Sequence, residues 1–334
     1  MKFDLILKEI FSTISESIFL ESGNAINGVT KIKKENIPAT LQLLENKVFI
    51  PLGIKRSSWD IIGSTGKKSV SGDIDIAIDI NAVLKETNSE SEQEFAQKII
   101  AQCEKLNWPT NNRINSGSKM IHLGIPIFNQ KNEMVQVDLM ISNDMKFTKF
   151  KYFSPSEEES KYKGALRSIL IDCILKYATL EAAEDATDEE KQSYTAPDGK
   201  VYPYIRFQHL AFNTNGLWKN VKTLKGKKGF LSIPKKDKEV SKFLTSDINE
   251  ILKLLFGENT FKISDFNSFE SIWNNVLFSE KFPYKNKIKD IVIGFLRSLK
   301  ENNNNQKIEQ NKISLPEEVI EYCELNNINI DDYR

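Results

Sequence analysis

The chain contains 334 residues, of which 46 are basic and 46 acidic, so its formal net charge is zero and no general attraction to nucleic acid is expected. Its length suffices for two domains, and a composition of 40% apolar and 28% charged residues is typical of a globular protein. The cysteines are widely separated, without the spacing of a disulfide framework or a zinc site. No segment reaches the ~20 apolar residues of a membrane span. We therefore expect a cytoplasmic protein without membrane contact.

The first 150 residues contain both helical and strand patterns. Apolar residues at helical spacing predict a helix over residues 1–20, and Pro38 fits the first turn of a second helix. Two strands are predicted at WDIIG and at the alternating DIDIAIDI, and a helix is predicted at SEQEFAQKIIAQCEKL. Two further strands around a polar turn are predicted in MIHLGIPIFNQKNEMVQVDLMIS. This order predicts an α+β domain over residues 1–150, with a small mixed sheet and flanking helices.

After residue 150 the apolar period becomes mainly helical. Ser154 is a plausible N-cap with Pro155 in the first helical position, and further helices are predicted at 236–256, 266–277 and 286–300. The Asp-Gly pair in APDGKVYPYIRF predicts a hairpin, and ENNNNQ predicts a linker before a last short helix. We therefore expect a mainly helical domain over 151–300, followed by a linker and C-terminal helix over 301–334.

The stretch IIGSTGKKSVSGDIDIAIDI, residues 61–80, has the glycine and lysine content of a phosphate-binding P-loop. The Walker pattern requires a glycine where Ile61 stands and a serine or threonine where Lys68 stands. A strand follows instead of the long helix that the pattern requires. The sequence therefore excludes a P-loop.

The aspartates of this stretch indicate a different chemistry. Asp73 and Asp75 share one face of the predicted strand, about 6.6 Å apart at ~3.3 Å per residue, while isoleucines fill the opposite face. Asp138 lies on the polar face of a later strand, so pairing of the two strands would bring all three carboxylates together. Oxygen ligands favour Mg²⁺, with Mn²⁺ as a substitute, and a site for phosphoryl transfer would hold two ions ~3.5–4 Å apart. Asp79 shares this face but is interpreted as a strand end.

The turn before the aspartates is a candidate phosphate site. Gly63 and Ser64 supply backbone N–H groups and a hydroxyl that could hold a triphosphate. Lys67 and Lys68 follow on the same loop and are candidates either for triphosphate contact or for solvated loop charges. Together with the carboxylates, this turn predicts a site for nucleotidyl transfer.

These residues resemble the signature of the polymerase-β-like nucleotidyltransferase superfamily. That signature has Gly-Ser on a turn, Asp-x-Asp on a strand about ten residues later, and a third aspartate on a later strand, as in Gly63-Ser64, Asp73-x-Asp75 and Asp138. The sequence GST…SGDIDIAI is most similar to the corresponding motif of the minimal, CCA-adding and oligoadenylate-synthase-like branches. Because Lys67-Lys68 and Ser71-Gly72 replace residues common in relatives, the branch stays open.

The resemblance implies roles for individual residues. Asp73 and Asp75 would bind two Mg²⁺ ions, and Asp138 would bind the catalytic ion and help to deprotonate the acceptor hydroxyl. Gly63 and Ser64 would hold the β- and γ-phosphates of an NTP, with ATP favoured. In the helical domain that the family places after its sheet, Lys163 and Arg167 would be phosphate-facing cations, with Lys161 as a further candidate. The Asn-, Lys- and Ile-rich composition is also similar to that of nucleotidyltransferases from large tailed phages.

The sequence leaves the acceptor open. The segment 218–242 contains nine lysines and is either an RNA-binding surface, with Trp218 or Phe230 stacking on bases, or a solvated basic loop. We expect transfer of a nucleoside monophosphate to a hydroxyl, with an RNA 3′ end slightly favoured. The alternatives are a nucleotide-binding scaffold without catalysis and a toxin or defence factor that modifies tRNA or protein. His122 and His209 are interpreted as packed or exposed rather than catalytic.

Overall fold

The computed structural model describes residues 25–111, 119–188, 194–195, 201–202, 206–223, 241–305 and 313–333. It confirms the α+β class. The chain divides into two compact units, here called the N-terminal unit (Leu20–Ser168 and Lys262–Val276) and the C-terminal unit (Ile169–Phe261 and Leu277–Arg334). One later segment, Lys262–Val276, thus belongs to the N-terminal unit although it follows part of the C-terminal unit along the chain. The helix predicted over residues 1–20 lies outside the described residues.

The N-terminal unit contains the predicted mixed sheet. Its strands are β1 (Ile32–Lys33), β2 (Trp59–Ile61), β3 (Val70–Ser71), β4 (Asp73–Asp79), β5 (Met120–Pro126) and β6 (Met134–Ser142). Its longer helices are α1 (Ile37–Leu44), α2 (Ile80–Glu86), α3 (Glu92–Lys105), α4 (Met145–Lys151) and α5 (Gly164–Cys173), the last of which continues into the C-terminal unit. The helix predicted at 266–277 is found as shorter helical stretches over Phe269–Ser271 and Ile272–Leu277. The four main strands lie in the order β2-β4-β6-β5, with β4 and β6 parallel and the other pairs antiparallel.

Strand alternation places the core of the N-terminal unit. Ile74, Ile76 and Ile78 of β4 are fully buried, as their pattern predicts, and each such side chain contributes about 1.5–3 kcal/mol by burial. One hydrophobic cluster joins them to the apolar residues of β6 and to the apolar faces of α1 and α3. The aspartates of β4 point the other way, so core packing orients them.

Two details of this unit differ from the sequence prediction. Asp79 ends β4 as predicted, but it also caps α2, which the prediction lacks, by accepting hydrogen bonds from Asn81 N and Ala82 N at 3.0 and 3.2 Å. Helix α5 begins at Gly164 and not near Ser154. A Cβ at Gly164 would lie 2.5 Å from Ser154 Oγ, so the close approach of the two segments requires glycine there.

The C-terminal unit contains a second sheet that the sequence prediction lacks. Its strands are β7 (Glu181–Ala182), β8 (Tyr194–Thr195), β9 (Val201–Tyr202), β10 (Arg206–Asn213), β11 (Gly216–Thr223) and β12 (Lys242–Thr245). Strands β12-β11-β10-β7 form an antiparallel sheet, whereas β8 pairs with β9 across the predicted Asp-Gly turn. The turn residues 196–200 lie outside the described residues.

The helices of the C-terminal unit agree with prediction in part: the helix predicted at 286–300 is found, but the helix predicted at 236–256 begins only at Ile248, after the strand Lys242–Thr245. They are α6 (Ile248–Phe256), α7 (Ile288–Asn305) and α8 (Glu317–Leu325). The asparagine run predicted as a linker continues α7 instead, and the Asn303 side chain bonds both the N–H and the carbonyl of Ile313. Cys173 and Cys323 are buried and free, as is Cys103 in the N-terminal unit. Within the described part of the chain, no helix combines the length and apolar character that crossing a bilayer demands.

Candidate metal centre

The three predicted aspartates meet on one face of the N-terminal sheet. Parallel pairing sets Asp75 of β4 directly opposite Asp138 of β6, and Asp73 opposite Gln136. One carboxylate oxygen from each aspartate lies within 4.8 Å of the others. Asp73 and Asp138 are buried, with 8% and 1% of their surface exposed, while Asp75 is half-buried. The expectation that the three carboxylates converge is therefore confirmed.

Convergence of three acids has an electrostatic cost. Burial, together with the neighbouring charges of Asp73 and then Asp138, raises the pKa of Asp75 well above its ordinary value. A cation between the carboxylates would remove this repulsion, and every ligand atom offered is a hard oxygen. The triad could thus hold a metal ion, and it is the single group of this kind among the residues that the structure describes.

Asp138 is held by two neighbouring side chains. His122 of β5 lies opposite it in the antiparallel register, with Nδ1 2.8 Å from Asp138 Oδ1. Gln136 Nε2 donates to Oδ1 at 2.9 Å and to Oδ2 at 3.1 Å. Both side chains are buried. The sequence predicts His122 to be packed or exposed, and it is packed. The sequence alone identifies neither its partner nor Gln136, because the β5–β6 register cannot be read from spacing.

Gly63 lies against Asp75. Its φ is +66°, a conformation that favours glycine, and a Cβ there would lie 2.2 Å from Asp75 Oδ2. Its N–H donates to the Tyr152 carbonyl at 3.1 Å, so it is already used within the protein. Thr65, which sequence reasoning did not select, accepts a hydrogen bond from Asp75 N at 2.9 Å. The glycine turn is therefore fixed directly to the acidic strand.

Ser64 remains a candidate for phosphate contact. The side chain is half-buried, and its hydroxyl makes no hydrogen bond to any part of the chain that the structure describes. Its carbonyl accepts from Lys67 N at 3.1 Å, which closes the turn. The two residues predicted together thus differ: Gly63 provides space beside Asp75, and Ser64 provides a hydroxyl.

Two of the four predicted phosphate-binding cations, Lys67 and Arg167, make contacts within the protein. The Lys67 ammonium donates to the Ser154 carbonyl and lies 4.2 Å from the centre of the Phe153 ring, and burial lowers its pKa. Arg167 is fully buried and donates from Nη1 to the Lys151 carbonyl at 3.2 Å. The structure supports neither residue as a phosphate ligand, because each guanidinium or ammonium group is directed at the protein itself.

Lys68 and Lys163 are both accessible to solvent, so they stay candidates for phosphate contact. Lys68 is half-buried and Lys163 exposed. Burial, followed by the positive charges of Lys68 and Lys31, lowers the pKa of Lys163. The positive charges of Lys68 and Lys31 thus act on the Lys163 ammonium group.

The predicted RNA-binding segment lies mostly outside the described residues, which exclude 224–240 and with them Phe230. Trp218 packs edge-on against Phe243, with ring centres 5.7 Å apart, and Lys219 pairs with Glu184. His209 is buried and stacks on Phe207 at 6.1 Å, which confirms its interpretation as packed.

Comparison with protein-family models and with curated proteins gave no match. The site itself consists of three convergent carboxylates, a glycine turn in contact with one of them, and an accessible hydroxyl on that turn.

Proposed function

We propose that the protein is a nucleotidyltransferase that moves a nucleoside monophosphate from an NTP to a hydroxyl group and releases pyrophosphate. The convergence of Asp73, Asp75 and Asp138 next to the Gly63 turn carries this proposal. The same arrangement is what the resemblance to the polymerase-β-like superfamily implies, and the chain has its signature residues in the implied order.

Magnesium is the ion that the donor set fits best. All three ligands are carboxylate oxygens, and mutual repulsion of the acids favours a dication among them. Two Mg²⁺ ions, or Mn²⁺ in their place, would supply charge neutralisation at the triphosphate and activation of the acceptor hydroxyl. Asp75 lies beside both other acids and is the ligand best placed to be shared.

The chain's own residues would bind and orient the reactants. Ser64 would donate its hydroxyl to the triphosphate, while Gly63 lets the turn that carries Ser64 lie directly against Asp75. Lys68 and Lys163 would add positive charge near the phosphates. The acceptor oxygen bonds to the α-phosphorus, the bond to the bridging oxygen breaks, pyrophosphate leaves with the electron pair, and the hydroxyl proton passes to water.

The alternative scaffold without catalysis is less well supported. Three clustered carboxylates destabilise a metal-free fold, and a protein that only holds nucleotide does not need all three. A toxin or defence factor would use the same chemistry with tRNA or protein as the acceptor. An RNA 3′ end and ATP stay the favoured substrates, on the basis of the lysine segment and the resemblance.

Label transfer tests this proposal. Each α-labelled NTP is incubated with the protein, Mg²⁺ or Mn²⁺, and total RNA, and in parallel reactions with protein or small hydroxyl compounds. We expect metal-dependent transfer to one acceptor class, abolished in the Asp73→Asn/Asp75→Asn double variant, which preserves side-chain volume. Nucleotide binding without transfer to any acceptor would favour the scaffold instead.

A further inference from the structure

We infer that His122 and Gln136 are positioning residues that occupy the other acceptor positions of Asp138 and leave a single free lone pair, on Oδ2, for a metal ion. This inference rests on the metal site of the proposed function, although it concerns how that site is built and not which reaction it performs.

The orientation of Gln136 is determined by its other end. Its Oε1 accepts hydrogen bonds from Ala25 N at 2.9 Å and from Ile26 N at 3.2 Å. Backbone N–H groups can only donate, so the oxygen of the amide must face them and the NH₂ group must face Asp138. The Gln136 side chain is fully buried, so water does not compete for these contacts. Gln136 is thus a fixed donor to Asp138.

His122 supplies a second donor on the opposite strand. An ionised carboxylate can only accept, so His122 Nδ1 carries the hydrogen of the 2.8 Å contact whenever Asp138 is ionised. The imidazole is 1% exposed and lies on the β5–β6 pair, directly opposite Asp138. Two strands and the segment at residues 25–26 therefore combine to hold one carboxylate.

These hydrogen bonds determine how many lone pairs of the Asp138 carboxylate remain free. A carboxylate has about four acceptor positions, two on each oxygen. Oδ1 of Asp138 takes one hydrogen bond from His122 and one from Gln136, and Oδ2 takes one from Gln136. One position on Oδ2 remains, so Asp138 cannot both hold a cation and accept the acceptor proton. The resemblance implies both roles, whereas this geometry favours the role of ligand.

Direct measurement of Mn²⁺ binding tests the inference without requiring activity. Free Mn²⁺ is counted by its electron paramagnetic resonance signal during titration of the full chain. We expect His122→Leu and Gln136→Met each to weaken Mn²⁺ affinity about 10- to 100-fold, as loss of groups that orient ligands typically does. His122→Asn, which keeps an N–H donor near the position of Nδ1, should stay within about threefold of wild type.

Leu123→Ala is the matched control for destabilisation. Leu123 is buried on the same strand, and its side chain faces the hydrophobic core. This variant should lose stability but keep wild-type Mn²⁺ affinity. If His122→Leu does not fold, Gln136→Met carries the test, since it removes donors to both oxygens from a different strand.

The outcomes separate this inference from the proposed function. Suppose that the wild type binds Mn²⁺ but shows no nucleotidyl transfer, while His122→Leu and Gln136→Met bind Mn²⁺ more weakly. That result supports the positioning role and contradicts only the proposed function. Folded variants with wild-type affinity overturn the inference even if transfer is confirmed. Equal loss in His122→Asn and His122→Leu, or no Mn²⁺ binding by the wild type, also overturns it.

Discussion

Acidic residues occur in two arrangements in this molecule: some pair with cations, as Asp60 of the N-terminal sheet does with Lys149, and three cluster with one another. In the C-terminal unit, acids near β10 and β11 pair with cations: Asp185 lies 2.7 Å from Arg206, and Glu184 pairs with Lys219. In the N-terminal unit, the parallel register of β4 and β6 instead brings three acids together. Paired charges are explained by the fold alone. Clustered like charges reduce stability, and a cation bound among them would compensate for that loss.

The largest effect should follow from removing one acid of the cluster. Asp73→Asn and Asp75→Asn should each lower the rate of nucleotidyl transfer by at least about 10²–10³, the loss typical of removing one electrostatic contact from a reacting centre. Glu184→Gln, an acid of the paired kind, should leave the rate within twofold of wild type. Rates are measured with labelled NTP at saturating Mg²⁺. Equal losses in all three variants would show that the two classes of acid do not differ in function.

Glycines of the two sheets offer a second comparison. Gly63→Ala places a Cβ 2.2 Å from Asp75 Oδ2, and Gly216→Ala places one 2.5 Å from the Thr245 carbonyl, both at positive φ. Each should destabilise its unit by about 1–3 kcal/mol. Only Gly63→Ala should also reduce transfer and Mn²⁺ affinity, since of the two glycines only Gly63 contacts an aspartate of the candidate metal centre. Urea unfolding and metal titration measure the two effects.

Gly72→Ala is the matched control for this pair. Its Cβ meets nothing within 4 Å, so it should change neither property. A Gly63→Ala variant that binds Mn²⁺ as wild type does would show that the turn does not need to approach Asp75 so closely.

A smaller effect should appear in the stability of the metal-free protein. Asp75 is the acid whose pKa is raised by burial and by both neighbouring acids. Asp75→Asn removes one of the repelling charges, so without metal it should raise Tm by roughly 2–4 °C, the shift that about 1 kcal/mol produces in a domain of this size. Adding Mg²⁺ should then stabilise the wild type and not the variant. A fall in Tm for metal-free Asp75→Asn would contradict the idea that repulsion destabilises the cluster. Thermal unfolding with and without chelator measures both shifts.

Local patterns were sufficient to predict the acidic face but not its surroundings. Alternation along DIDIAIDI set Asp73 and Asp75 opposite the buried isoleucines, and it placed Asp138 on the polar face of its own strand. Contacts between distant segments could not be predicted in this way. His122 and Asp138 meet only through the register of two strands. Lys67 reaches Ser154, 87 residues away, so its loop position gave no sign that it contacts the protein.

The second sheet shows a different failure of prediction, since a local signal was available. Strands β10 and β11 are joined through Thr214 and Asn215, and Asn215-Gly216 is the dipeptide typical of hairpin turns. Asn213 Oδ1 also accepts a hydrogen bond from Asn215 N at 2.7 Å, as asparagine commonly does in turns. The periodicity of the flanking helices outweighed this signal, so a mainly helical domain was predicted.

The smallest effect should come from the paired charges themselves. The Lys219 side chain is 25% exposed and the Glu184 side chain is 75% exposed, so water screens the attraction between their charges. Lys219→Ala, Glu184→Ala and the double variant form a cycle whose coupling energy should not exceed about 1 kcal/mol by urea unfolding. The coupling should fall further as salt is added, because a Debye length of about 8 Å at physiological ionic strength screens exposed pairs. A coupling energy well above about 1 kcal/mol would contradict this expectation. The contrast between paired and clustered acids would then no longer separate structural from functional acids.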